Sequence, residues 1–159
     1  MELNQTLSQH GELEVLIEYI NGKKERRYIP NTILRTAKNA HAKSITNQIG
    51  TEFEFFVDRM LFGTNGTTGD NTPRFVEDFR NGLFGPVLLV KPIISSVNTD
   101  AQNQAIFTAV VVFDEGNGNV LNEMALQMRN NDLYSMVTFG GITKTSSMQL
   151  VFNWKISII

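Results

Sequence analysis

The sequence predicts a mainly β fold, a β-sandwich-like domain with an N-terminal hairpin and one α-helix over about 31–49. Three observations predict it. Between Gln104 and Ile158 the chain holds several strand-like runs and little charge. The last of these, Met148 to Ile158, sets Met148, Leu150, Phe152, Trp154, Ile156 and Ile158 on one side. Gln149, Asn153, Lys155 and Ser157 fall on the other, with Val151 the exception, and a period of two over that length is a half-buried strand. Near the start, Leu13, Val15, Ile17 and Tyr19 alternate with Glu12, Glu14 and Glu18 and run into Asn21-Gly22, the dipeptide suited to a type I′ turn.

At 159 residues, with 42% hydrophobic and 19% charged content, the chain has the size and composition of one globular domain. A formal net charge of −2 gives no general attraction to nucleic acid or to an anionic membrane. The absence of cysteine excludes disulfides and thiolate metal sites. Met1 to Gly11 is polar, without the basic start and apolar centre of a signal peptide, and reads as a mobile arm ahead of a single domain over 12–159. No apolar run approaches the roughly 20 residues of a membrane-spanning helix.

In chain order, Lys23 to Ile29 returns the hairpin 12–29. A two-residue turn would set Ile17 opposite Arg26 and Val15 opposite Tyr28. This hairpin reads as an appendage whose deletion leaves a folded domain. Asn31 or Thr32 is placed to cap a helix carrying Ile33, Ala37, His41, Ile45 and Ile49 at four-residue spacing, with Gly50 as its stop. Small residues on that face predict packing against a sheet. Phe53 to Phe62 reads as a strand, and 63–85 as a long glycine-rich loop with one short helical turn over Val76 to Phe79. Loops of that length in compact domains are commonly functional.

The sheet then occupies 87–158. Val87 to Val97 is bent at Pro92 and expected at an edge. Ala105 to Phe113 carries apolar groups on both faces, as a strand covered on both sides would. Val120 to Met128 and Leu133 to Phe139 follow, and Gly140-Gly141 with Ser146-Ser147 frame a loop before the last strand.

Candidate chemistry is sparse. His10 and His41 are the two histidines, one in the expected arm and one on the inward helix face, where a structural role outweighs catalysis. Glu123 lies in strongly apolar sequence; it could be an acid with a raised pKa, but reads better as a charge on the strand's outer face or paired with Lys or Arg. Gly63 to Gly69 lacks the Gly-Lys-Ser/Thr ending of a phosphate loop, and Asp114 to Asn119 has glycines where calcium ligands belong. Lys23, Lys24, Arg26 and Arg27 could grip nucleic acid, but neighbouring glutamates neutralise them. The expectation is no catalytic residue, no metal, no cofactor, no small-molecule substrate and no nucleic-acid partner.

Several segments together resemble a known family. These are Leu34-Arg35-Thr36-Ala37-Lys38-Asn39-Ala40, Met60-Leu61-Phe62-Gly63-Thr64-Asn65-Gly66, Asn122-Glu123-Met124-Ala125-Leu126, Asp132-Leu133-Tyr134-Ser135-Met136-Val137-Thr138-Phe139, Ile142-Thr143-Lys144-Thr145 and Val151-Phe152-Asn153-Trp154-Lys155-Ile156. Their order is similar to that of small structural proteins of tailed-bacteriophage virions, most of all the amino-terminal module of tail-collar fibre proteins. The resemblance implies a homo-oligomeric virion subunit, assembled in the host cytoplasm with other virion proteins and copies of itself. Its place would be in the tail, neck or baseplate, in fibre attachment, with no catalytic residue to carry over. The alternatives are a capsid decoration protein, plausibly a trimer, and a carbohydrate-binding module using Tyr134 or Phe84. Expected assembly contacts are Ile17, Tyr19, Arg26, Arg27 and Tyr28 of the hairpin, and Phe75, Phe79, Leu83 and Phe84 of the loop.

Overall fold

The computed structural model describes residues 8–46, 56–98, 100 and 103–158. Its elements in chain order are β1 (Gln9–Tyr19), β2 (Lys24–Pro30), β3 (Thr32–Ile33), α1 (Arg35–Ile45), β4 (Val57–Gly63), β5 (Leu89–Pro92), β6 (Ile94–Val97), β7 (Gln104–Val111), β8 (Val120–Met128), β9 (Leu133–Thr143) and β10 (Met148–Ile158). They form two five-stranded antiparallel sheets, ordered β2-β1-β10-β7-β6 and β3-β9-β8-β4-β5. The fold is the predicted β-sandwich with one helix.

The two sides of the sandwich are closed in the same way. On one side the edge strand β2 passes through Asn31 into β3, the edge of the second sheet. On the other, β5 passes through Ile93 into β6. A strand that switches sheets at a bend makes a corner, and Pro92 sits at the second one, at an edge, where the missing N–H breaks no ladder. At the first corner, Asn31 Nδ2 donates to Ser135 Oγ, and a Cβ on Gly11 would overlap the Asn31 side chain.

Between the sheets lies one large core. β1 supplies Leu13, Val15 and Ile17; β10 supplies Leu150, Phe152, Trp154 and Ile156; β4 and β8 answer with Met60, Phe62, Met124, Leu126 and Met128. A second cluster sits on the far face of the second sheet, where Leu34, Leu61, Val76, Ala125, Leu133 and Met136 are joined by half-buried Leu83 and Phe84. That sheet is therefore covered on both faces, which is why Leu121 to Leu126 are all buried despite the alternation of a strand.

Several expectations are corrected. The hairpin does not turn on Asn21-Gly22 alone. Only Gly22 of that pair has positive φ (88°), whereas a type I′ turn needs it at both central residues. Tyr19 N–H donates to Lys23 O and Asn21 Oδ1 accepts from Lys23 N–H, so the loop is one residue longer. The register moves by one: Leu16, not Ile17, opposes Arg26, and Val15 opposes Arg27. Nor is the hairpin an appendage, since β1 lies between β2 and β10 and fills the core; Gln9 to Gly11 of the expected arm pair with β10. Deleting 12–29 would remove an inner strand.

The helix starts later than expected. Thr32 is spent on the ladder to Met136, and Leu34 occupies the N-cap position with no side-chain cap. The buried face is Ala37 and Ala40, Ile45 is 74% exposed, and Ile49 and Gly50 lie outside the described residues. Of Phe53 to Phe62, β4 covers Val57 onward and 53–55 also lie outside. Val76 to Phe79 forms no helix; Arg80 N–H closes a turn on Glu77 O. β7 is covered on its core face only, with Ile106, Thr108 and Val110 half-buried on the other. β9 runs through Gly140-Gly141 to Thr143, and a Cβ at Gly141 would sit 2.3 Å from Val120 Cγ1 on β8.

Candidate functional site

The site begins with an irregularity in β8. Pairing with β9 shifts between Leu121 and Glu123, a bulge that lets Asn122 and Glu123, consecutive residues, both serve the same loop. Glu123 is fully buried. Its Oε2 accepts the Phe84 N–H at 2.7 Å, and its Oε1 accepts those of Asn65 at 3.1 Å and Gly85 at 3.2 Å. Asn122 Oδ1 accepts the Gly66 N–H at 2.7 Å while its Nδ2 donates to Thr67 Oγ1 at 3.0 Å. Two adjacent side chains thus fasten both ends of the loop 63–85. Glu123 stands on the outer face of β8, but under the loop rather than in solvent, and three backbone N–H groups bind its carboxylate in place of a Lys or Arg partner.

The glycines allow this approach. A Cβ on Gly63 would lie 2.5 Å from Glu123 Oε1, and one on Gly66 would lie 2.3 Å from Asn122 O, a backbone atom. The run that mimicked a phosphate loop is a passage for the backbone beside a buried carboxylate. Further along, Thr67 bridges to Pro73, and Asp70 accepts from Thr68 Oγ1 and from Thr72 N–H at 3.3 Å. These hydrogen bonds, that from Thr68 first, hold the exposed Asp70 carboxyl below its usual range. Thr138 Oγ1 donates to Arg74 O at 2.6 Å, a further tie to β9.

On this fastened frame the aromatic residues divide. Leu83 and Phe84 turn inward, and Arg80 lies over the Phe84 ring, 3.7 Å from its centroid. Phe75 and Phe79 turn outward, 83% and 61% exposed; Arg35, paired with Asp78 at 2.9 Å, lies 5.9 Å from the Phe79 ring centroid. Of the hairpin residues, Ile17 faces the core and offers no contact surface. Tyr19 is half-buried against the core, Arg26 pairs with Glu14 at 3.0 Å, Arg27 Nη1 donates to Gly140 O at 3.2 Å, and Tyr28 is 58% exposed. The hairpin belongs to the first sheet and the loop covers the second, with Arg27 reaching across to Gly140 beside the Gly141 that the loop's Asn71 holds.

Sequence reasoning missed Lys144. It is buried, and Nζ donates to Phe113 O (3.2 Å), Asn117 Oδ1 (2.9 Å) and Thr145 O (2.9 Å), holding the turn 113–119. Burial lowers its pKa, while the Asp114 and Glu115 charges oppose that shift. The turn, which lacks the ligand pattern of a calcium loop, is organised around an ammonium group. The only signal was a lysine between strand and turn, which does not distinguish a buried amine from a solvated one. Tyr134, offered as a sugar platform, is half-buried with its hydroxyl on Gln9 Oε1. His10 contacts Ser8 Oγ at 2.9 Å, and His41 is half-buried.

Among the described residues no group of three or more His, Cys, Asp or Glu could hold a metal ion, and no helix is long and apolar enough to cross a membrane. Comparison with known proteins finds no matching family model, no matching curated protein and no matching solved structure.

Proposed function

We propose that this protein is a non-enzymatic structural subunit, and that its place is in the tail, neck or baseplate of a tailed-bacteriophage particle. One observation carries the assembly part of the reading. Phe75 and Phe79 stand in water on a loop whose backbone is fastened by Asn122 and Glu123. An exposed aromatic on an immobilised backbone loses little conformational entropy on contact, as interface anchors do. Glu123, the acid set in strongly apolar sequence, is committed to three backbone N–H groups of the loop, which supports a structural role for it. The virion location rests on the sequence resemblance alone.

The test is incorporation. A Phe75→Asp, Phe79→Asp double variant is expected to keep the melting temperature of the parent, because both side chains are exposed. Supplied in place of the parent during infection, it is expected to be missing from purified particles. Incorporation at the parent level would overturn the reading.

A further inference from the structure

The outer face of the first sheet carries a shallow cleft of about 280 Å³, well away from the loop site, lined by Glu12, Glu14, Tyr28, Ile106, Asn153 and Lys155. The register explains its shape. Tyr28, Glu14 and Asn153 stand side by side across β2, β1 and β10, and Glu12, Lys155 and Ile106 form the next row across β1, β10 and β7. Three inter-strand spacings separate β2 from β7, about 14 Å. The exposed Tyr28 ring stands at one end and the Ile106 side chain at the other.

The polar groups in the cleft have unused hydrogen-bonding capacity. Glu12 and Lys155 oppose each other directly, yet they make no ion pair, and neither side chain has another hydrogen-bond partner among the described residues. Asn153 Oδ1 accepts from Thr108 Oγ1 at 2.9 Å, which leaves its amide N–H groups free. Glu14 is neutralised by Arg26 through Oε1, and its Oε2 remains open. Donors and acceptors therefore alternate between the two apolar ends: Lys155 and Asn153 donate, Glu12 and Glu14 accept.

We propose that this cleft binds a neutral saccharide. A sugar ring has an apolar C–H face suited to the Tyr28 ring and vicinal hydroxyls that donate and accept at once, as the free groups here require. A charged ligand fits poorly, because the two unpaired charges, Glu12 and Lys155, are opposite and adjacent. The other aromatic residues suggested for such a role are occupied, Tyr134 by the core and Phe84 by Arg80. The proposal is independent of the particle assignment.

The experiment is an array of neutral and sulfated glycans probed with the full chain, followed by titration calorimetry with the best neutral oligosaccharide. Binding of a neutral glycan is expected, weakened about tenfold or more in Tyr28→Ala. Asn153→Ala is expected to weaken it too, with Phe75→Asp as an unaffected control. Retained melting temperatures in both cleft variants separate lost binding from lost folding. No neutral glycan bound, a preference for sulfated glycans, or binding indifferent to Tyr28→Ala would each overturn the proposal.

Discussion

Glu123 Oε2 accepts the backbone N–H of Phe84 at 2.7 Å, so a carboxylate from an inner strand sets the position of an aromatic residue 39 positions earlier in the chain. With Oε1 bridging Asn65 and Gly85, one buried side chain holds together two stretches of loop that share no strand pairing with each other.

Removing that carboxylate leaves the N–H groups of Asn65, Phe84 and Gly85 without their acceptor. Glu123→Ala is expected to cost about 3 kcal/mol or more in urea unfolding at neutral pH. Amide exchange at Asn65, Phe84 and Gly85 should accelerate more than exchange in β1 or β10. Uniform acceleration across both sheets would show that the loop is not fastened separately.

Gly66→Ala tests the passage beside Asn122. The new Cβ would meet Asn122 O at 2.3 Å, and because that atom is backbone the strand itself has to move. The expected loss is about 2 kcal/mol. Gly69→Ala, where a Cβ meets nothing within 4 Å, is the control and should lie within about 0.5 kcal/mol of the parent.

The sheets meet at Phe62 and Phe152, whose ring centroids lie 4.9 Å apart with planes tilted at 60°. Phe152→Ala is expected to cost about 3–5 kcal/mol by calorimetry or urea unfolding, from lost burial and the cavity left between strands of both sheets.

Much of this architecture was legible in the sequence. The period-two pattern of Met148 to Ile158 identified a half-buried strand, which lies inside the first sheet, and Pro92 marked the bend where the chain changes sheets. The hairpin was found but misregistered, because Asn-Gly signals a turn without fixing how many residues lie in it, and the Asn21 side chain selected the longer one. The bulge at Asn122 was not legible: strict alternation sends Glu123 outward, and only the loop folded over that face makes a buried carboxylate tolerable. Lys144 was missed for the same reason, since two of its three acceptors come from a turn about 30 residues away.

The Lys91–Glu115 pair, at 2.7 Å, gives the molecule an acid dependence. Its hydrogen bond holds the Glu115 pKa below the ordinary 4.5, against the opposing effect of desolvation. A carboxyl depressed in the folded state contributes stability that is complete above its unfolded pKa and lost as pH falls through the folded value. Lys91→Met should therefore lower the melting temperature at neutral pH, where the contribution is complete, and flatten its decline below pH 4.5, so that parent and variant converge in acid. An unaltered acid limb would show that the pair adds nothing.

The most direct test of the structural-subunit reading is immunogold labelling of intact phage particles with antibody raised against the folded chain. Gold confined to the neck or the tail tip is the predicted result. Gold spread over the head would make the protein a capsid decoration subunit instead. No gold on any particle, with the epitope shown to be accessible on the free protein and after particle disruption, would contradict a virion role altogether.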